Sequence, residues 1–350
     1  MAYTTIDDPS VYFQTALYTG NASSNKAITN DGNSDLQPDW VWIKERSSTS
    51  SHFANDSVRG AGENIYPDLT GSEGTNTALF TSFNSDGFTV GNTNQGNQNN
   101  ETYVAWQWKA GTSFSNDASS TSVGSVDSTG SVNTDAGFSI INVVKNNTTA
   151  HTVAHGLGVV PQMIIGKSRT GGSYRWIVYH KDIANTHALY LNEDHAKVDS
   201  VTFWNDTTPT SSVFSLGTDN SWNGTNIFYC FAEKKGYSKF GSFVGNGNAN
   251  GPFVYTGMSP SFVMVKASST TGNWTMFDNK RSPFNFVDNH LYANTNAAEQ
   301  TASAGYIDFL SNGFKKTDTF NNASGATYVY MAFAENPFVT STGIPTTARQ

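Results

Sequence analysis

Cysteine is almost missing from this sequence. The one residue of that type, Cys230, allows no intrachain disulfide and no cysteine-built zinc site. Charge is scarce as well: Asp, Glu, Lys and Arg make up 14% of the 350 residues, against roughly 25% in ordinary soluble domains. The net charge is −8 and no basic block occurs anywhere. Phosphate backbones and anionic membrane surfaces both require clustered Lys and Arg, so nucleic acid is not an expected partner. No apolar run approaches the ~20 residues that span a bilayer, which argues against membrane insertion. The opening stretch "MAYTTIDDPS" has neither a basic nor an apolar segment, so no signal peptide is expected and synthesis in a cytoplasm is. Good helix formers are sparse outside short stretches.

What is abundant is Asn, Ser, Thr, Gly and aromatic side chains, the last at 13%. That mixture suits pleated strands joined by tight turns. One pattern recurs three times. "PDWVWIK" (38–44) returns as "PQMIIGK" (161–167) and "PSFVMVK" (260–266), each with Lys six positions after Pro. Downstream of each lies an aromatic strand: "YVAWQWKAG" (103–111), "NIFYCFAEKKG" (226–236) and "YVYMAFAENP" (328–337). Lys44 to Trp108 and Lys167 to Phe231 both span 64 residues, and Lys266 to Phe333 spans 67, a constancy that points to a common plan.

Alternation places Val104, Trp106 and Trp108 on one face of the last strand, with Ile227, Tyr229 and Phe231, and Val329, Met331 and Phe333, at matching places. "FNSDGF" (83–88) and "FLSNGF" (309–314) each put Gly where a hairpin favours positive φ. In "PDWVWIKERS" the two tryptophans suggest a sugar platform, but Met163 and Ile165, and Phe262 and Met264, replace them in the other copies. A strand buried on both faces is the better reading, with the recurring lysine leading its ammonium out to water.

The expected fold is all-β: tandem antiparallel β-sandwich units, jelly-roll-like, in three related repeats. The expected boundaries are 1–112 for unit one, 113–135 for a Ser/Thr/Gly-rich linker or arm, 136–236 for unit two, and 237–350 for unit three with its C-terminal tail.

The segments "PDWVWIKERS…HFANDSVRG", "YVAWQWKAGTSFSNDAS", "TGSVNTDAGFSI" and "AHGLGVVPQ" resemble a family of repeat-built virion proteins of marine tailed phages, notably those infecting cyanobacteria. The likeness spans most of the chain and is strongest over residues 1–165. It implies a bacteriophage structural protein located in the virion, as a tail fibre or related appendage engaged in host adsorption. Its implied partners are other virion proteins and copies of itself, in a homo-oligomer for which a trimer is the common fibre arrangement. It carries over no catalytic, metal or cofactor residue.

Residue chemistry gives several candidates. His52, Asp56 and Ser57 contain the parts of a hydrolase triad, but matching positions hold Trp176 and His180, and Trp274 and Asp278, which argues for structure. His187, Glu193, Asp194 and His195 form the densest metal-capable cluster, at a spacing that fits no known zinc pattern, so no metal is expected. "GNGNANG" (245–251) lacks the helix a phosphate loop needs. A polysaccharide depolymerase would pair two carboxylates from among Asp182, Glu193, Asp194 and Asp199, and spacing selects none, so no enzyme is expected. The favoured sites are aromatics in turn-like settings, Tyr174, Trp204 and Trp222, where a ring face could stack on a host surface glycan. An architectural particle component, such as a capsid decoration or a neck or baseplate fibre, is the alternative.

Overall fold

The computed structural model describes residues 2–146, 149–301 and 306–347. The chain is all-β, with its strands in antiparallel sheets and only single helical turns between them. Among the described residues no helix is long and apolar enough to cross a membrane.

Three large sheets share one strand order. In unit one the opening strand Phe13–Thr19 pairs with the closing strand Thr102–Trp108. That strand pairs with the lysine-bearing strand Trp40–Glu45, which pairs with Phe53–Asp56. Unit two repeats the order with Phe138–Lys145, Gly224–Phe231, Met163–Ser168 and Ile177–His180. Unit three does so with Ser238–Val244, Thr327–Pro337, Met258–Ala267 and Thr275–Asp278. After the lysine strand the chain stays in the same sheet as a meander, through His187–Tyr190 in unit two and Asn289–Tyr292 in unit three. A jelly roll would cross to the opposite sheet at that point, so the likeness to that fold fails.

Residues 113–135 are not a free arm. Thr112–Asn116 and Ser128–Asn133 are strands that extend the unit-two sheet beyond Phe138–Lys145. Thr112–Asn116 is the edge strand, and the Ser/Thr-rich composition of the two reflects a place at the outer end of the sheet with little apolar area to bury; neutral polar strands pair as well as apolar ones through the backbone.

Period-two alternation feeds two cores from each large sheet. Trp40 and Trp42 enter a core shared by all three units, while Val41 and Ile43 enter the sandwich interior of unit one. Ile165 and Ile164 divide in the same way, as do Met264 and Val263. All nine residues of the common closing-strand face lie in the shared core. Rings from different units meet there: Trp40 stacks on Tyr229 at 4.2 Å, Trp106 meets Phe262 edge-on at 5.8 Å, and Phe231 lies 6.0 Å from Phe333.

On the outside, each large sheet is covered by a small one. These comprise Lys26–Ile28, Phe80–Asn84 and Gly87–Val90 in unit one, His151–Ala154 with Val213–Leu216 in unit two, and Phe253–Tyr255, Ile307–Leu310 and Gly313–Lys316 in unit three. Gly87 adopts φ +98°, whereas Gly313 shows no such φ. What both positions share is crowding: a Cβ would come within 2.0 Å of the Ile28 carbonyl oxygen or 2.1 Å of that of Val254. Close approach of a neighbouring strand, more than turn dihedrals, demands glycine there.

The three units lock head to tail. Trp176 Nε1 donates to the Tyr66 carbonyl at 2.9 Å, Trp274 Nε1 to that of Tyr190 at 2.8 Å, and His52 Nε2 to that of Tyr292 at 3.0 Å. Unit two therefore bonds to one, three to two, and one to three, closing a ring.

Two of the three recurring lysines reach across these joints. Lys167 Nζ donates to Thr70 O at 2.9 Å and Tyr174 O at 2.7 Å, and Lys266 Nζ donates to His195 O at 2.7 Å and Ala267 O at 2.6 Å. Lys44 donates to the Glu45 and Ser48 carbonyls. The ammonium groups do not reach water, because all three residues are wholly buried. Burial lowers each amine to about 8. The stem packs as expected, but carbonyls take the place of solvent: a neighbouring unit supplies part of them to Lys167 and Lys266, and both partners of Lys44 come from its own unit.

Candidate functional site: a cleft where units one and two meet

The side chains singled out from sequence divide sharply. Trp204 and Trp222 offer no face to a ligand: they are 2% and 0% exposed, 5.6 Å apart, inside the unit-two sandwich. The Trp222 indole donates to Phe203 O at 3.0 Å. The helical turn Val201–Trp204 and the turn Asn220–Trp222 direct both indoles inward, so these turns act as plugs of the sandwich end. Tyr174 remains, half-buried, on the wall of a cleft of about 340 Å³.

The cleft is assembled from several segments. Tyr174 and Arg175 follow a turn in which Gly171 and Gly172 take φ of +91° and +138°, which favours glycine. Lys167 fixes the Tyr174 carbonyl and that of Thr70 from unit one at the same time, so the boundary lysine sets the width of the cleft. Ile177 and Tyr190 face each other across adjacent strands and form the floor. Phe203 meets Tyr190 edge-on at 5.9 Å. Asp219 caps the turn Asn220–Trp222 and accepts from Ser221 N at 2.9 Å and Ser221 Oγ at 2.6 Å.

Charge in the cleft is arranged around Arg175. Its guanidinium lies 4.7 Å above the Tyr190 ring, and its Nε is 2.5 Å from Glu193 Oε1. The hydrogen bond to Glu193 is the main cause holding Arg175 above its ordinary pKa. His195 Nδ1 lies 2.6 Å from the other Glu193 oxygen. Burial is the main cause that raises the Tyr190 hydroxyl, with Arg175 opposing it. Thr70, Ser173 and Ser221 add hydroxyl groups to the lining.

Of the four carboxylates weighed for glycoside cleavage, Glu193 lines the cleft, and Asp182, Asp194 and Asp199 do not. Among the described residues no group of three or more His, Cys, Asp or Glu is placed to hold a metal ion.

His52, Asp56 and Ser57 do not form a triad. His52 Nδ1 accepts from Trp42 Nε1 at 2.9 Å, and burial pushes its pKa down to about 3. Asp56 is engaged by Arg59 and by Tyr229 Oη at 2.7 Å, while Ser57 Oγ donates to Asp39 at 2.7 Å. The 245–251 loop is an Asn/Gly turn in which Asn248 N bonds Asn246 Oδ1 at 3.0 Å and Asn250 N bonds Asn248 Oδ1 at 2.9 Å.

Sequence reasoning missed Arg175, Tyr190, Phe203 and Asp219. Only Arg175 had a signal, in "GGSYRW", where an arginine adjoins the tyrosine of a glycine turn. The other three come together from separate strands and turns, at distances in sequence that no local pattern encodes.

Fold and cleft together define a class: an all-β protein of three sandwiches closed around a shared aromatic core, with a polar and aromatic cleft at one joint. Residues 8–337 match the family model described as a domain of unknown function, DUF7483, and the chain belongs to that family. The match runs across all three units. No curated protein and no solved structure matches the chain.

Proposed function

We propose that this chain is a non-catalytic structural protein of a phage particle, in a tail fibre or related appendage, that contacts host surface polysaccharide through the Tyr174 cleft. The observation that carries the reading is the cleft itself. A half-buried tyrosine ring, a guanidinium and two carboxylates line one solvent-open hollow between two units. Aromatic faces flanked by hydrogen-bonding groups are what a sugar ring requires. The virion setting draws on the resemblance of residues 1–165 to marine phage proteins and on the neutral polar composition.

The test is adsorption. Purified chain should bind susceptible cells and compete with phage, and Tyr174→Ala should abolish both while leaving the thermal midpoint within a degree or two. Absence of binding by the unaltered chain would remove the adhesion reading.

A second reading, an architectural component seated on other particle proteins, is favoured by the outer sheet of unit three. Phe253 and Tyr255, on one edge strand of that sheet, are 48% and 53% exposed, and Phe284 and Phe286, in a loop beside the opposite edge, are 68% and 54% exposed. Corresponding small-sheet positions in unit one, aligned through the two Phe-x-x-x-Gly-Phe hairpins, carry Ala27 and Thr29 in place of Phe253 and Tyr255. Exposed aromatic rings in this number are typical of protein contacts. Copy number and position in an intact particle, read by labelling this chain, separate the two readings.

A further inference from the structure

Resting on the adhesion reading of the Tyr174 cleft, we infer that the cleft recognises an acidic sugar, a uronic acid or another carboxylated residue, through the open Nη edge of Arg175. A comparison within the molecule carries the inference. Arg59 and Arg281 each bind one carboxylate through Nε and a second through Nη1: Glu73 lies 3.0 Å from Arg59 Nη1, and Glu299 lies 3.1 Å from Arg281 Nη1. Arg46 and Arg169 also engage Nη donors, on Glu299 at 2.7 Å and on Glu73 at 2.8 Å. Arg175 has only the first half of this arrangement. Its Nε is 2.5 Å from Glu193 Oε1, and among the described residues no hydrogen bond reaches either Nη. Its side chain is 52% exposed and lines the cleft.

The stacking of Arg175 keeps that edge available. The guanidinium lies 4.7 Å above the Tyr190 ring, and stacking uses the face of the group while its in-plane N–H donors stay free. Two Nη donors match the two oxygens of a carboxylate, in charge-assisted bonds roughly twice as strong as neutral ones. A guanidinium shared by two carboxylates already occurs twice in this fold, at Arg59 and Arg281. Nearby charge does not oppose an anion. Glu193 is paired with Arg175, and Lys145 attracts Asp219. Lys167 bonds the Thr70 and Tyr174 carbonyls and adds a positive charge behind the lining. The hydroxyls of Thr70 and Ser173 both donate and accept, as the ring hydroxyls of a sugar require. At about 340 Å³ the hollow stands at the small end of ligand sites, which run from roughly 300 to 1,000 Å³. A terminal sugar or a short branch fits that size better than the middle of a polymer strand.

The experiment is a titration of the full chain with glucuronic acid, galacturonic acid, glucose, galactose and acetate, read by saturation-transfer NMR and calorimetry. The expected result is binding of at least one uronic acid about tenfold or more tighter than its neutral counterpart, with the gap shrinking as salt is raised. Arg175→Gln should bring the uronic acid down to the level of the neutral sugar. Arg175→Lys keeps the charge but loses the paired donors, and should fall between. Thermal midpoints close to that of the unaltered chain identify both variants as folded. Tyr174→Ala should remove binding of every sugar.

Equal binding of uronic and neutral sugars, lost in Tyr174→Ala, would overturn the acid preference and leave the adhesion reading intact. An acid preference that survives Arg175→Gln would place the anion elsewhere and overturn the inference. Acetate bound as tightly as the uronic acids would reduce the site to an anion pocket and overturn the choice of a sugar. No binding by any probe would remove the cleft as a glycan site and the inference with it.

Discussion

The three joints of the ring solve one problem in two ways. Where units one and two meet, Arg59 bridges Asp56 and Glu73 with all three side chains largely withdrawn from water, and Arg169 of unit two closes the far side of Glu73 at 2.8 Å. Where units three and one meet, Arg281 bridges Asp278 at 2.6 Å and Glu299 at 3.1 Å, and Arg46 of unit one holds Glu299 at 2.7 Å. Each aspartate also takes a hydrogen bond from a ring of another unit, Tyr229 Oη at 2.7 Å or Trp106 Nε1 at 3.1 Å.

The joint of units two and three dispenses with this. His180 stands at the aspartate position, Ile183 is buried nearby in the core, and Lys197 and Ser268 meet by the same backbone bond that joins Glu73 to Arg169 and Glu299 to Arg46. Backbone geometry is thus retained while buried charge is replaced by an imidazole, a hydrocarbon and a surface cation. Buried ion pairs seldom stabilise more than well-packed apolar groups do. The charged joints therefore contribute directional fit more than net stability, and the uncharged one shows that the ring closes without them.

Removing one partner of a charged joint should have the largest effect. Arg281→Met strands the buried Asp278, while Arg46 still holds Glu299, and should cost about 3–5 kcal/mol, seen as a lower urea midpoint at unchanged m-value. A loss under about 1 kcal/mol would mean that the network is already hydrated.

Acid should act on the uncharged joint through His180. Burial lowers His180 to about 4, against about 6.5 in an unfolded chain. The unfolded chain binds the proton first, so this residue's contribution is complete above about pH 6.5 and is lost as pH falls toward 4. That contribution is up to about 3 kcal/mol. His180→Gln should flatten the slope of stability against pH over that window by about one proton. His52, held down to about 3 at the joint of units three and one, and His290 in unit three, lowered by burial to about 4, keep slopes of their own, so the variant retains part of the acid sensitivity.

The smallest effect is expected from exchanging one joint for another. Asp278→His, Arg281→Ile, Glu299→Lys and Arg46→Ser together place the residues of the uncharged joint in a charged one. Stability should change by no more than about 2 kcal/mol. If the fourfold variant falls as far as Arg281→Met alone, the two designs are not interchangeable.

Much of the fold was legible because alternation is local. Trp106 and Trp108 could be assigned to one face of the closing strand, and the strand of Trp40 and Trp42 to burial on both faces, before any contact was known. The same logic failed for Trp204 and Trp222, whose helical turns have no period-two pattern and whose burial depends on Tyr179, Phe214 and Phe228 closing around them from three separate strands. It failed for residues 112–133 because an edge strand of Ser and Thr looks like a linker when pairing is invisible. Of the cleft, Tyr174 was found and Asp219 was not, because a turn cap has no mark that separates it from a ligand-facing carboxylate.

The sequence by itself determined the all-β class, the recurrence of the lysine strand, and which residues of each strand share a face, since propensity and alternation act between near neighbours. Only the tertiary structure decided what each face meets. It turned Trp40 and Met163 toward one shared core, buried three ammonium groups under the carbonyls of the strand ends and adjoining turns, and joined Thr70 to Tyr174 at the rim of a cleft. Those outcomes rest on contacts between residues about a hundred positions apart, which form when three sheets close into a ring.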